Sequence, residues 1–363
     1  MKKIFELVLI LSIFIGIKNV WAVSDTSTSS VVLDIDSKRI LYEKNKDEKR
    51  LIASITKIMT AVVAIENKNL DDVVTIGEEV LPMYGSNIYI EVGERMTLRD
   101  LLYGLLLRSG NDAAVAIATY VGGTEENFVK MMNAKAQELG MKNTIFNNSH
   151  GLDEETQNYS TAYDMALLSS YANTFMEYCE ITGTKKWTVS NDTKSYIWYN
   201  RNKLLSLYKY ATGGKTGYTP KAGRTLVTTA NKDNLNLTVV TLNDGNEYET
   251  HESLYEYAFS KYENVLLIDK NNFHVDDFLY DGEIYVENNF SYPLTQNEKK
   301  IVKTVVDIYK KEDYKNNDKI GEVVVMLNDE ELYRENIYIR VKVEKKEGVL
   351  TKIINFFKGL FGI

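Results

Sequence analysis

Cysteine is almost absent from this chain of 363 residues: Cys179 stands alone, so no internal disulfide framework holds the fold together. Histidine is nearly as scarce. His150, His251 and His274 are scattered, with no pair at metal-ligand spacing, and neither a structural metal nor a cofactor is expected. Positive charge is in deficit: the formal net charge is −8 and the central part holds no basic cluster, which argues against nucleic acid as a partner. The apolar stretch near the N-terminus, Leu7 to Ile17, is far short of the roughly 20 residues a membrane-spanning helix needs. What is present, 44% hydrophobic and 26% charged residues, is the make-up of a globular protein long enough for two domains, and it excludes disorder and collagen-like repeats.

The two ends carry targeting signals. Met1-Lys-Lys, the apolar Leu7–Ile17 and then Val20-Trp21-Ala22 form the three parts of an export signal, residues 1–22, with cleavage expected after Ala22. An exported protein with one cysteine draws its stability from packing. At the other end, residues 348–363 place Leu350, Ile353, Ile354, Phe357, Leu360 and Phe361 on one helical face, with Thr351, Asn355, Lys358 and Gly362 on the other. Lys345, Lys346, Lys352 and Lys358 add positive charge to an acidic protein. This pattern predicts an amphipathic helix over 346–363 lying on the outer face of the cytoplasmic membrane, the alternative being a last helix docked on its own domain.

Between the ends, Val31–Ile35, the turn-like Asp36-Ser37-Lys38 and Arg39–Tyr42 read as a hairpin. Ser54–Ile65, Leu98–Leu107, Ala113–Val121 and Leu254–Tyr262 read as helices, and Thr225–Ala230 and Leu235–Leu242 as strands. This order predicts an α/β (α+β) domain over 23–263, a mixed sheet flanked by helices. From 264 to 345, short β-rich runs (Ile284–Val286, Ile301–Val306, Glu322–Met326, Ile337–Val343) separated by polar stretches predict a smaller β-rich domain.

Three short motifs could carry chemistry. Ser54-Ile-Thr-Lys57 sets a hydroxyl and an amine one helical turn apart, and a serine hydroxyl needs such a base because it is a weak nucleophile at neutral pH. The spacing alone is a weak signal, since Ser206-Leu-Tyr-Lys209 repeats it. Ser109-Gly110-Asn111, the only Ser-x-Asn triplet, sits in a break between helices, where its hydroxyl and amide can face a cleft. Lys215-Thr216-Gly217, the only Lys-Thr-Gly, offers a cation and a hydroxyl to an anionic group and a backbone open to close approach, with the β pattern expected just after it.

Together with their flanks, these motifs resemble the low-molecular-weight penicillin-binding proteins, the serine-type D-alanyl-D-alanine carboxypeptidases. The resemblance rests on Ala53-Ser-Ile-Thr-Lys-Ile-Met-Thr-Ala61, Arg108-Ser-Gly-Asn-Asp-Ala-Ala114, His150-Gly-Leu-Asp153, Tyr159-Ser-Thr-Ala-Tyr-Asp-Met-Ala166 and Gly214-Lys-Thr-Gly-Tyr-Thr-Pro-Lys-Ala-Gly223. It implies a β-lactamase/transpeptidase-like domain, a peptidoglycan stem peptide ending in D-Ala-D-Ala as substrate, and inhibition by β-lactams. Ser54 is then the acylated nucleophile, Lys57 its base and Ser109 a proton shuttle. Asn111 holds the substrate amide, Lys215 and Thr216 bind the terminal carboxylate, and the amides of Ser54 and Tyr218, the latter following Gly217, form the oxyanion hole. For Lys57 to accept a proton its pKa must fall, and Lys215 is expected to supply one repulsive charge.

The chain departs from the family pattern in places. Asn158 stands where many members have His, and Asn147-Asn-Ser-His150 where Asn-Pro-His is common; both are expected to affect loop packing more than chemistry. The arginine that some members carry about thirty residues after Lys-Thr-Gly has no counterpart near Glu247, and Arg224 is a candidate substitute. Two alternatives stay open. A β-lactamase is suggested by Glu154-Glu-Thr-Gln-Asn158, which comes near the Glu-x-x-Leu-Asn loop of those enzymes with Gln157 in place of Leu, and a cell-wall binding protein without turnover would label with penicillin yet hydrolyse nothing.

Overall fold

The computed structural model describes residues 23–191, 194–275 and 280–341. The expected signal segment 1–22 and the amphipathic segment 346–363 lie outside them. The chain divides into two compact units, with the boundary between Glu263 and Asn264. Among the described residues no helix is long and apolar enough to cross a membrane.

The first unit is built on five strands: β1 (Ser29–Asp34), β2 (Ile40–Lys44), β3 (Ala211–Thr219), β4 (Gly223–Lys232) and β5 (Leu235–Leu242), in the order β2-β1-β5-β4-β3. The expected α+β fold is present with one correction. Every pairing in this sheet is antiparallel, not mixed. Short hairpins fix opposite strand directions within β1–β2 and within β3–β4–β5, and the two groups meet antiparallel where β1 pairs with β5. Asp233 and Asn234, both at positive φ, make the two-residue turn between β4 and β5, whose twist matches that of the strands it joins.

Helices α1 (Lys57–Asn67), α2 (Leu98–Leu107), α3 (Asn111–Gly122), α4 (Glu125–Glu138), α5 (Ala162–Ala172) and α6 (Met176–Gly183) form a subdomain on one face of the sheet, and α7 (Glu247–Lys261) covers the other. Because side chains alternate along a strand, Val31 and Leu33 join the core of the helical subdomain while Val32 joins Leu254, Tyr255 and Ala258 of α7. All of β1 is therefore buried. Helix α1 is the hub of the subdomain, with every residue from Lys57 to Ala64 buried. Thr97, Thr124 and Thr161 cap α2, α4 and α5 by accepting hydrogen bonds from Asp100, Asn127 and Asp164 amides.

Two elements sit differently from the sequence expectation. Helix α7 begins seven residues before Leu254, because its first two turns bury only Glu247, Thr250 and His251 and so lack an apolar period. Lys215-Thr216-Gly217 lies within β3, not ahead of it; the glycines that mask the strand signal serve close packing, as at Gly214, which has φ +140 and lies against the Val227 carbonyl.

The second unit begins within β6 (Glu263–Ile268) and goes on with β7 (Gly282–Tyr285), β8 (Phe290–Leu294), β9 (Lys303–Ile308), β10 (Asp318–Leu327) and β11 (Glu330–Val341). Strands β6 and β8 pair, and the others form an antiparallel sheet in the order β7-β11-β10-β9 over a core that includes Val323, Val325, Ile337 and Ile339.

Candidate active site

Ser54 stands on a sharp bend. The chain leaves the core at Ile52, passes through Ala53 at φ +47, and enters one tight turn, Ala53–Thr56, that runs into α1. A residue with a Cβ is strained in the left-handed region, so the surroundings must hold it there. The bend leaves Ser54 part-exposed in an otherwise buried run from Ile52 to Ala64.

Lys57, the first residue of α1, is 0% exposed. Its Nζ donates to Ser54 Oγ at 3.1 Å, to Asn111 Oδ1 at 2.8 Å and to the His150 carbonyl at 2.5 Å. Three acceptors match the three donors of an ammonium. Burial, first, and then the ammonium of Lys215 and the Arg201 guanidinium pull the Lys57 pKa well below its ordinary value, against an upward pull from Asp112. The repulsion expected from Lys215 is present, but desolvation is the larger cause.

Asn111 is buried at the start of α3, and its Nδ2 donates to the Tyr84 carbonyl at 2.7 Å, which fixes which end of the amide faces Lys57. Asp112 accepts from the amides of Ile88, Tyr89 and Ile90 and so holds the 84–90 loop against α3. Between α2 and α3, Ser109 has φ +65 and its Oγ accepts from Lys215 Nζ at 3.1 Å. Lys215 is 1% exposed and also donates to the Thr216 carbonyl at 2.6 Å. Burial, with repulsion from Arg201, brings its pKa down to about 7.

The loop carrying His150 closes the site from below. Asn158 accepts from the amides of Asn147 and Asn148 and donates to Thr56 Oγ1, two residues from the nucleophile. The departures at 147–150 and 158 are thus packed together in one turn. Gly151, at φ +87, faces Ala53: a Cβ there would lie 2.0 Å from the Ala53 carbonyl oxygen.

Strand β3 forms the opposite wall. A Cβ on Gly217 would lie 2.9 Å from the Ser54 amide nitrogen and 2.4 Å from Thr225 Oγ1, so the glycine lets the edge strand lie against the nucleophile's own backbone. Above it opens a cleft of about 420 Å³ whose lining includes Ser54, Ser109, Thr216, Gly217 and Tyr218. Lys57, Asn111 and Lys215 stand behind this surface rather than on it. The fold therefore gathers all eight residues singled out from the motifs, five on the cleft and three in its wall.

Two arginines also line the cleft, Arg201, which no motif marks, and Arg224, the candidate substitute for the missing family arginine. Arg201 is anchored through Nη1 to Ser86 Oγ at 2.8 Å and through its backbone N–H to the Leu107 carbonyl. Arg224 also lines the cleft, with Nη1 donating to Glu247 Oε1 at 3.2 Å. Arg201 lies in a polar stretch, Asn200-Arg-Asn-Lys203, that reads as an ordinary loop. Ser206 and Lys209, which share the Ser-x-x-Lys spacing, are both exposed and lie outside the cleft. Glu154 and Glu155 are exposed and neither lines the cleft.

Comparison with known proteins agrees with this geometry. A family model described as D-alanyl-D-alanine carboxypeptidase matches residues 18–246, and one described as penicillin-binding protein 5, C-terminal domain, matches residues 262–345. Among curated relatives, D-alanyl-D-alanine carboxypeptidase DacF of Bacillus subtilis is 38% identical over 252 residues, 67% of this chain and 64% of the relative. The DacC enzyme of Escherichia coli is 35% identical over 268 residues, 69% of this chain and 66% of the relative. The chain thus matches just under two thirds of the length of these two relatives. Among solved structures, penicillin binding protein 5 of Haemophilus influenzae superposes with a TM-score of 0.71 at 27% identity, covering 89% of this chain and 98% of that one. The D-alanyl-D-alanine carboxypeptidase DacD of Francisella tularensis gives 0.68 at 28% identity, covering 92% and 98%. With Ser54, Lys57, Ser109 and Lys215 connected by hydrogen bonds beside one cleft, the chain belongs to the D-alanyl-D-alanine carboxypeptidase family.

Proposed function

We propose that this chain is a serine-type D-Ala-D-Ala carboxypeptidase that removes the terminal D-alanine from peptidoglycan stem peptides through an acyl-enzyme at Ser54. The observation that carries this reading is the contact between Lys57 and Ser54: a fully buried amine with a lowered pKa, 3.1 Å from a part-exposed hydroxyl that lines the cleft. Neutral Lys57 takes the Ser54 proton as Oγ attacks the carbonyl of the penultimate D-alanine. The oxyanion forms against the amides of Ser54 and Tyr218, donors of a kind worth roughly 2.7–4 kcal/mol each in the transition state. Ser109, bound to Lys215, passes a proton to the leaving amine, D-alanine departs, and water then releases the shortened peptide and restores Ser54. β-Lactams acylate the same serine because their carbonyl and carboxylate occupy the places of the peptide's.

The family and the export signal support an extracytoplasmic enzyme of cell-wall maturation. In this reading residues 1–22 are removed, residues 264–345 form a spacer, and residues 346–363 attach the protein to the outer face of the cytoplasmic membrane. Binding of residues 23–363 to anionic vesicles, lost on truncation after residue 345, tests the attachment. The exposure of Glu154 and Glu155 away from the cleft weighs against a β-lactamase, which needs a carboxylate to activate the deacylating water.

The direct test is D-alanine release from a stem pentapeptide by residues 23–363, with Ser54→Ala as control. Release that vanishes in the control is expected, together with a single penicillin adduct by intact mass. A folded, penicillin-reactive protein that releases no D-alanine would return the choice to a β-lactamase or a silent binder, separated by the adduct's lifetime.

A further inference from the structure

A carboxypeptidase must tell a free C-terminal carboxylate from a peptide that continues. Lys215 is poorly placed to be the lasting countercharge. The residue is 1% exposed, its Nζ is engaged by Ser109 Oγ and the Thr216 carbonyl, and with a pKa brought down to about 7 it is charged only part of the time at neutral pH.

Arg224 is differently situated. It lies directly across the β3–β4 pair from Tyr218, and its guanidinium stands 5.7 Å over that ring. Its side chain is 56% exposed and lines the cleft with Ser54 and Thr216, whereas the side chain of its partner Glu247 is only 10% exposed. Glu247 is the first residue of α7 and so is fixed by the helix it opens. Only Nη1 is engaged by Glu247, and the guanidinium makes no other hydrogen bond among the described residues. The remaining donors form a planar fork that suits a carboxylate. Arg201, the other guanidinium of the cleft, is tied to Ser86 on the opposite wall.

We propose that Arg224, held in place by Glu247, selects the free terminal carboxylate of the peptide, with the Thr216 hydroxyl beside it. Arg224 is thus a specificity-determining residue, and Glu247 is a positioning residue that acts through it. The inference rests on the carboxypeptidase reading above and adds which cation performs the selection.

The test compares kcat/KM for a stem pentapeptide with that for the same peptide ending in D-alaninamide. The wild type prefers the acid. Arg224→Gln is expected to lower the acid-to-amide ratio by about tenfold or more, mainly through KM for the acid, as loss of one charge-assisted contact does. Arg224→Lys restores part of the ratio, and Glu247→Gln lowers it by a smaller factor. A merely structural role for either residue would shift thermal melting and depress both peptides alike. A folded Arg224→Gln protein with the wild-type ratio overturns the proposal. The same comparison using acylation by benzylpenicillin and its methyl ester reads Arg224 without turnover. Absence of peptide hydrolysis in the wild type would therefore overturn the carboxypeptidase reading alone, while an unchanged acid-to-ester ratio in Arg224→Gln would overturn this one.

Discussion

Lys215 Nζ donates to Ser109 Oγ at 3.1 Å although the two residues are 106 apart in the chain. One comes from an edge strand and the other from the break between two helices. Their contact bridges the two sides of the fold, and the cleft exists because the helical subdomain and the sheet meet there.

Lys57 must be neutral to take a proton, so acylation is expected to rise with pH through its lowered pKa, with an inflection well below the ordinary lysine range. Lys215→Met removes the neighbouring positive charge that helps depress it. The inflection should then move to higher pH, as read from the rate of fluorescent penicillin labelling; an unmoved inflection would show that Lys215 does not help to depress the Lys57 pKa.

Gly217→Ala should cost about 10²–10³ in acylation rate, the size of effect seen when an oxyanion donor is lost. The added methyl would lie 2.9 Å from the Ser54 amide nitrogen, forcing the strand and the nucleophile apart. Intact-mass kinetics would check this, and an unimpaired rate would mean that the strand can retreat without disturbing the amide.

Ala53→Gly is expected to leave melting temperature unchanged or raised while slowing acylation. Glycine adopts φ +47 without the penalty of about 1–2 kcal/mol borne by a residue with a Cβ, but it also frees the bend that aims Ser54. Paired melting and labelling measurements test it, and a lower melting temperature with full activity would contradict it.

His251 is 0% exposed between Thr228 and Thr241, and burial pushes its pKa down to about 3. An unfolded histidine titrates near 6.5, so between those values the unfolded chain binds a proton that the folded one does not. Stability should therefore fall as pH drops from about 6.5 towards 3, and His150, also pushed to about 3, adds in the same direction. His251→Gln should melt with a shallower dependence on pH over that interval. Equal slopes for variant and wild type would exclude this source of acid sensitivity.

Much of the architecture could be read from the residues because the signals are local. Leu98–Leu107 and Leu235–Leu242 appear in the structure with the bounds expected, since each carries an uninterrupted apolar period of its own kind. Helix α4 has no such pattern: it buries only Phe128, Met132 and Ala136, on a stripe too narrow to mark a helix among its polar neighbours. The antiparallel sense of the sheet was likewise hidden, because β1 and β5 pair across some two hundred residues and no local feature records the direction of that pairing.

For the site, residue type and spacing were enough to single out Ser54, Lys57, Ser109, Asn111 and Lys215, because each belongs to a short motif whose chemistry is written in neighbouring residues. What those motifs could not contain is the environment. That Lys57 and Lys215 are both buried, that Lys57 leans on the His150 carbonyl, and that Glu247 holds Arg224 all follow from segments that meet only when the helices close on the sheet. The sequence by itself determined the class of fold, the family and the candidate chemical groups. Tertiary structure decided which groups lose their water and which cations remain exposed, because desolvation and charge proximity depend on distances in space that no one-dimensional spacing encodes.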